Sequence, residues 1–263
     1  MNKLWGSLAL AGVLCLGSTQ VSAVPIDVDL ELVLAVDVSG SVDATRYQAQ
    51  KQGYINAFRD SSVIDTIMNG ALGSIAVTYM EWSGANQQSQ QVGWTQISDS
   101  DDSNAFADAI EATTRAFSGL TGISQAIDWS VDAFVDNGFE GTRRVIDISG
   151  DGSDNTSGDP DTSRDAAVDA GIVINGIAIE EVTGFSLTDY YAANVIGGPG
   201  SFVLTATTFE DFEQAINQKL RVEIGGEVPV PVPATLGLMG IGILGLAMGL
   251  RSRRVRGNDQ FAG

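Results

Sequence analysis

The sequence predicts an α/β fold built on a mainly parallel central sheet with helices on both faces. Three observations predict it. Nearly continuous apolar runs rich in Ile, Val, Leu and Ala have the composition of strands buried on both sides. Between them lie segments whose apolar residues recur at helical spacing. Strand and helix patterns alternate, and crossover connections turn such an alternation into parallel strands covered by helices.

Residues 27–224 carry this domain. Leu30–Val36 reads as its first buried strand and runs into the turn Asp37-Val38-Ser39-Gly40-Ser41. After Asp43, Tyr47, Tyr54 and Phe58 share one helix face. Ser74–Met80 is a second buried strand, and the more polar Val92–Ile97 suits a sheet edge. Ala105, Ala109, Ala112 and Ala116 line a further helix face, assigned to the core. The flexible turn Ser118-Gly119-Leu120-Thr121-Gly122 precedes an amphipathic helix carrying Ile123, Ala126, Ile127, Val131, Phe134 and Val135. Val145–Ser149 is a strand that ends at Gly150-Asp151-Gly152. Ile172–Ile179 follows, then a Gly197-Gly198-Pro199-Gly200 turn and the strand Phe202–Thr205. Phe209, Phe212, Ala215, Ile216 and Leu220 suggest the closing helix. No internal repeat is visible.

Both ends read as targeting segments. Residues 1–23 have the form of a secretory signal, with Lys3, the apolar stretch Leu8–Leu16 and the small-residue site Val21-Ser22-Ala23. At the other end, 225–233 is a Gly/Pro-rich linker, 234–250 is uniformly apolar, and 251–263 is basic, with Arg251, Arg253, Arg254 and Arg256. Seventeen helical residues span about 26 Å, which suits a short transmembrane helix with a cytoplasmic basic tail. Proline box, apolar segment and arginine cluster together resemble the PEP-CTERM sorting signal of Gram-negative bacteria, with Pro231-Val232-Pro233 in place of Pro-Glu-Pro. The resemblance implies handling by an exosortase-type enzyme and at least transient anchoring in the membrane. The expected location is the cell envelope, cell surface or extracellular matrix.

Composition excludes much chemistry. The 263 residues include 14 basic and 33 acidic side chains, a formal charge of −19 that argues against nucleic acid as a partner. With no histidine, a Ser-His-Asp triad or a histidine-ligated zinc centre cannot form. The single cysteine, Cys15, falls in the signal segment, so the domain has neither disulfide nor thiolate nucleophile.

Candidate function therefore rests on oxygen ligands. Asp37, Ser39 and Ser41 follow a buried strand, Thr121 precedes a helix, and Asp151 follows another strand. Loops leaving the C-terminal ends of parallel strands share one edge, where α/β folds place ligands. Two carboxylates and three hydroxyls suit a hard divalent cation, Mg²⁺ above all, with Mn²⁺ or Ca²⁺ as variants. Plainer roles stay open at this stage: Asp37 and the serines as helix caps, Thr121 as an N-cap, and Asp151 as a turn aspartate. The acidic runs Asp99, Asp101, Asp102 and Asp154, Asp159, Asp161, Asp165 read as solvated loops or helix starts. An EF-hand beginning at Asp147 is rejected, because its twelfth position is Gly158.

The pattern Asp-x-Ser-x-Ser, then a distant Thr and a distant Asp, resembles the metal-ion-dependent adhesion site (MIDAS) of von Willebrand factor A domains. Glu140–Asp147 followed by Ser149-Gly150-Asp151-Gly152 is similar to an exported bacterial subfamily of these domains with no assigned function. The resemblance implies a Rossmann-like three-layer fold. It also implies direct coordination by Ser39 and Ser41, water-mediated contacts from Asp37 and Asp151, and Thr121 in either mode. An ion held with so little direct negative charge favours an incoming carboxylate. The implied function is non-catalytic, metal-bridged binding of a protein or matrix ligand through its Asp or Glu. A self-associating matrix component and, more remotely, a metal-dependent hydrolase are the alternatives.

Overall fold

The computed structural model describes residues 24–180 and 186–226. In chain order the elements are β1 (Ile26–Val28), β2 (Leu30–Asp37), α1 (Ala44–Arg59), α2 (Ser61–Met68), β3 (Ile75–Trp82), β4 (Gln88–Ile97), α3 (Ser100–Ala112), α4 (Ile123–Asp132), β5 (Phe139–Gly141), β6 (Arg144–Gly150), α5 (Pro160–Asp169), β7 (Ile172–Ile179), α6 (Leu187–Asn194), β8 (Val203–Ala206) and α7 (Phe212–Gly225). The main sheet has the order β4-β3-β2-β6-β7-β8. Neighbours in it are parallel except β3 and β4, so the polar segment expected at an edge is the antiparallel edge strand β4. β1 pairs with β5 in a separate parallel ribbon.

The period-two alternation of β2 divides the core. Leu30, Leu32, Leu34 and Val36 pack with Tyr47, Tyr54 and Phe58 of α1, Phe106 of α3 and Phe212 and Leu220 of α7. Val33 and Ala35 point the other way, joining Ile123, Ala126 and Ile127 of α4, Ala167 of α5 and Leu187 and Tyr191 of α6. The result is the expected three-layer α/β arrangement, every residue of β2 being buried.

Three details differ from expectation. In α3 the buried face is Ser103, Phe106, Ala107 and Ile110, not the alanine stripe. Ala105 and Ala112 are exposed, Ala109 is only half-buried, and Ala116 lies beyond the helix. Alanine stabilises a helix on any face, so its spacing does not report burial. α4 ends at Asp132, short of Val135, whose side chain is exposed. β1, β5, α2, α5 and α6 are additional. The short Asp147–Asp151 stretch is not a calcium loop: Asp147 is buried in β6, with Oδ1 2.7 Å from Lys219 Nζ.

Among the described residues no helix is long and apolar enough to cross a membrane. The expected signal segment 1–23 and transmembrane segment 234–250 lie outside the described residues, as does most of the 225–233 linker.

Candidate metal site

From β2 the chain moves outward through β3 to β4, then returns to β6 on the other side of β2 and continues to β7 and β8. The reversal in strand order thus falls between β2 and β6, where open α/β sheets form a crevice at the strands' carboxyl ends. Asp37 terminates β2 and Asp151 directly follows β6.

Asp37 is fully buried. Its Oδ1 accepts a 2.7 Å bond from the Ser39 amide, and its carbonyl accepts 2.8 Å from Gln50 Nε2. Its Oδ2 has no hydrogen-bond partner among the described residues. Ser39 Oγ lies 3.2 Å from Ser41 Oγ, which donates at 2.5 Å to Asp151 Oδ1, 110 residues along the chain. Four of the five expected ligands therefore form one contiguous cluster.

Thr121 stands beside it, its Oγ1 3.6 Å from where a side chain on Gly152 would begin. Its amide donates to Asn155 Oδ1 at 2.8 Å, and the Asn155 amide returns a 2.9 Å bond to the Thr121 carbonyl. These bonds clamp the Thr121 turn to the loop after β6.

The plainer roles do not fit. Asp43 caps α1, accepting from the Thr45 and Arg46 amides, so Asp37, Ser39 and Ser41 are not helix caps. Gly122 is the N-cap of α4 and has no side chain to bond with, so Thr121 does not cap that helix. Asp151 Oδ1 accepts from Ser41, in the turn that follows the neighbouring strand β2. Asp99 and Asp159 are the N-cap residues of α3 and α5, and Asp101, Asp102 and Asp161 lie in their first turns, as expected.

Electrostatics make the cluster receptive to a cation. Burial, and then the charge of Asp151, push the Asp37 carboxyl up to about 7, against the opposing amides of Ser39 and Asp151. A bound cation removes both penalties. Among the described residues no three His, Cys, Asp or Glu side chains converge. An ion here would meet two carboxylates and three neutral hydroxyls, an oxygen-only set that fits a hard divalent ion.

Several supporting residues carry no signal in the sequence. Arg115 donates at 2.8 Å to the carbonyls of both Val38 and Ser39, fixing the turn from behind. Buried Glu81 accepts from the Ala116 amide at 2.7 Å and from Tyr47 Oη at 2.9 Å, holding the segment that leads to Thr121. Ser83 Oγ accepts from the Gly119 amide and donates to the Leu120 carbonyl. Such partners are set by tertiary approach, which no local spacing reports.

Comparison with known proteins agrees with this architecture. Residues 27–228 match the family model described as "Protein of unknown function (DUF1194)", and residues 229–254 match the PEP-CTERM protein-sorting motif. No curated protein matches the sequence. Among solved structures, proximal thread matrix protein 1 from the mussel byssus superimposes with a TM-score of 0.55 at 17% identity, over 76% of this chain and 47% of that one. One structure of that protein has a zinc-occupied MIDAS motif. A von Willebrand factor type A protein from Catenulispora acidiphila gives 0.53 at 15% identity, over 75% of this chain and 43% of that one. The pilus adhesin SpaC from Lactobacillus rhamnosus GG gives 0.54 at 14%, over 76% and 31%. The chain thus spans less than half the length of each of these proteins, and at such identities the likeness is one of fold. The chain belongs to the DUF1194 family, with a domain of von Willebrand factor A-like fold followed by a PEP-CTERM sorting motif.

Proposed function

We propose that this protein is an exported, non-catalytic binding module that holds a divalent cation, Mg²⁺ foremost, through Asp37, Ser39, Ser41, Thr121 and Asp151. The ion bridges to a carboxylate of a protein or matrix partner. The observation that carries this reading is the Ser41–Asp151 bond at the switch point, beside the buried and incompletely bonded carboxylate of Asp37. Such a carboxylate is costly without a counter-charge. Three of the five groups are neutral, so the ion would retain attraction for an external carboxylate. The PEP-CTERM motif supports export and cell-envelope association. We assign residues 1–23 to the signal, 27–224 to the binding domain, 225–233 to the linker, 234–250 to a membrane helix and 251–263 to a cytoplasmic tail.

The direction of the domain supports outward presentation. Gly226, the last described residue, lies beside the Arg143 guanidinium, next to the N-terminal end of β6. The metal cluster occupies the opposite, carboxyl edge. A tether leaving from Gly226 would therefore hold the site away from the membrane.

The test is capture of surface and matrix proteins on the immobilised protein with Mg²⁺. Partners should be released by EDTA and absent with Asp37→Ala or Ser39→Ala. Retention by both variants contradicts the metal bridge. Recovery of the protein itself as the main partner points to matrix self-association, which the net charge of −19 opposes at long range. Metal-dependent turnover of an ester or phosphoester by the purified protein would instead establish a hydrolase.

A further inference from the structure

Tyr191 of α6 takes no part in the five-residue pattern, yet its ring is fully buried and its hydroxyl has no hydrogen-bond partner among the described residues. A buried orphan hydroxyl in a native fold calls for an explanation. Its surroundings supply one. A side chain on Gly150 would begin 2.5 Å from Tyr191 Oη and 2.9 Å from Asp37 Oδ2. The missing side chain of Gly150 thus leaves a space in which a donor and an acceptor, both otherwise unsatisfied, face each other. Gly176 on β7 makes room for the ring, since a side chain there would begin 2.9 Å from Tyr191 Cδ1.

We propose that Tyr191 is a positioning residue of the metal site, its hydroxyl bonding to Asp37 Oδ2 directly or through one water and so fixing the carboxylate that faces the ion. This inference rests on the metal-binding reading above. Tyr191 remains a donor at any ordinary pH, because burial, followed by the charges of Asp37 and Asp151, holds its phenol well above the usual range. Metal-ligating groups are characteristically oriented by such outer partners, whose loss weakens metal binding about 10–100-fold. α6 would thereby join α1, α4 and the β6 loop in shaping the site.

The test is Tyr191→Phe in the full chain, with Tyr79→Phe as control. Tyr79 is also fully buried, with a hydroxyl that has no partner among the described residues, but it belongs to the core on the other face of the sheet. Mg²⁺ affinity by titration calorimetry should fall about 10–100-fold in Y191F and stay unchanged in Y79F. In EDTA, Y79F should leave the melting temperature unchanged, and Y191F should lower it by no more than the loss of one hydrogen bond, so a fall in Mg²⁺ affinity is not a loss of the fold. A spectroscopic reading separates positioning from packing. With ¹³Cζ-labelled tyrosine, the Tyr191 resonance, assigned by its absence from Y191F, should shift on Mg²⁺ addition with the calorimetric midpoint.

Wild-type affinity in Y191F, or a Tyr191 resonance indifferent to Mg²⁺, overturns the inference while leaving the metal site standing. Absence of Mg²⁺ binding by the wild-type protein defeats the metal-binding reading and this inference together. Should Y191F fail to fold, the labelled wild-type protein still decides: no tyrosine resonance moving with Mg²⁺ excludes the role.

Discussion

At the scale of single residues, Asp37 carries opposed costs and benefits. Its carboxyl is pushed up to about 7 by burial and by Asp151, so the charged form strains the metal-free protein. Asp37→Asn should therefore have effects of opposite sign with and without metal. In EDTA at pH 8 the variant should melt higher than wild type by about 2–4 °C, the shift expected for ~1 kcal/mol in a domain of this size. With Mg²⁺ the order should reverse, because only wild type gains from the ion. Differential scanning calorimetry in the two buffers checks this, and a variant that melts lower in both would refute the electrostatic account. The five proposed ligands were legible in the sequence because their residue types and the strand or helix beside each turn could be read locally. Arg115, Glu81, Gln50 and Tyr191 were not, since each approaches a residue distant in the chain.

At the scale of elements, the segment between α3 and α4 is positioned by charged side chains rather than by regular structure. Arg115 joins it to the carbonyls behind Ser39, and Glu81 joins it to the end of β3. Arg115→Ala should cost about 1–2 kcal/mol of stability, as hydrogen bonds from a charged group to carbonyls are lost. It should also weaken Mg²⁺ binding about tenfold without touching a ligand. Chemical denaturation and metal titration of the same preparation would reveal either effect missing.

α7 contributes to a second buried polar cluster, built on Asp147 of β6. Lys219 pairs with Asp147 and Glu223, and Asn175 donates to Glu223 at 2.8 Å. Burial first, then the Asp147 charge, raise the Glu223 carboxyl to about 7 despite Lys219. A carboxyl raised above its ordinary 4.5 gives its full stabilisation below that pH and loses it as pH climbs through about 7. Metal-free protein should accordingly melt lower at pH 8 than at pH 5, and Glu223→Gln should flatten that slope. An unchanged slope would place the titration elsewhere. The strands of the main sheet and the helices α1, α4 and α7 were readable because their apolar periodicity is strong. α5 was not, its buried face being only Pro160, Ser163 and Ala167. α3 was misread because alanines occupy its outer face while Ser103 is buried, donating to the Phe58 carbonyl.

At the scale of the whole molecule, one sheet separates two tasks. Its carboxyl edge gathers the candidate oxygen ligands at the switch between β2 and β6, and the opposite edge receives the end of α7. The strong net acidity keeps the surface soluble and leaves the cluster as the place where a partner's carboxylate would be attracted rather than repelled. An ion that binds only the folded state must also stabilise it, by about 2.7 kcal/mol at a free concentration one hundred times its dissociation constant. The most direct measurement is titration of Mg²⁺ into the metal-free full chain by calorimetry, for wild type and for Asp37→Asn and Ser39→Ala. The account predicts a single site in wild type, lost in both variants, with wild-type melting raised by ~5–10 °C at saturation. No heat of binding in wild type, or equal binding in all three proteins, would contradict it.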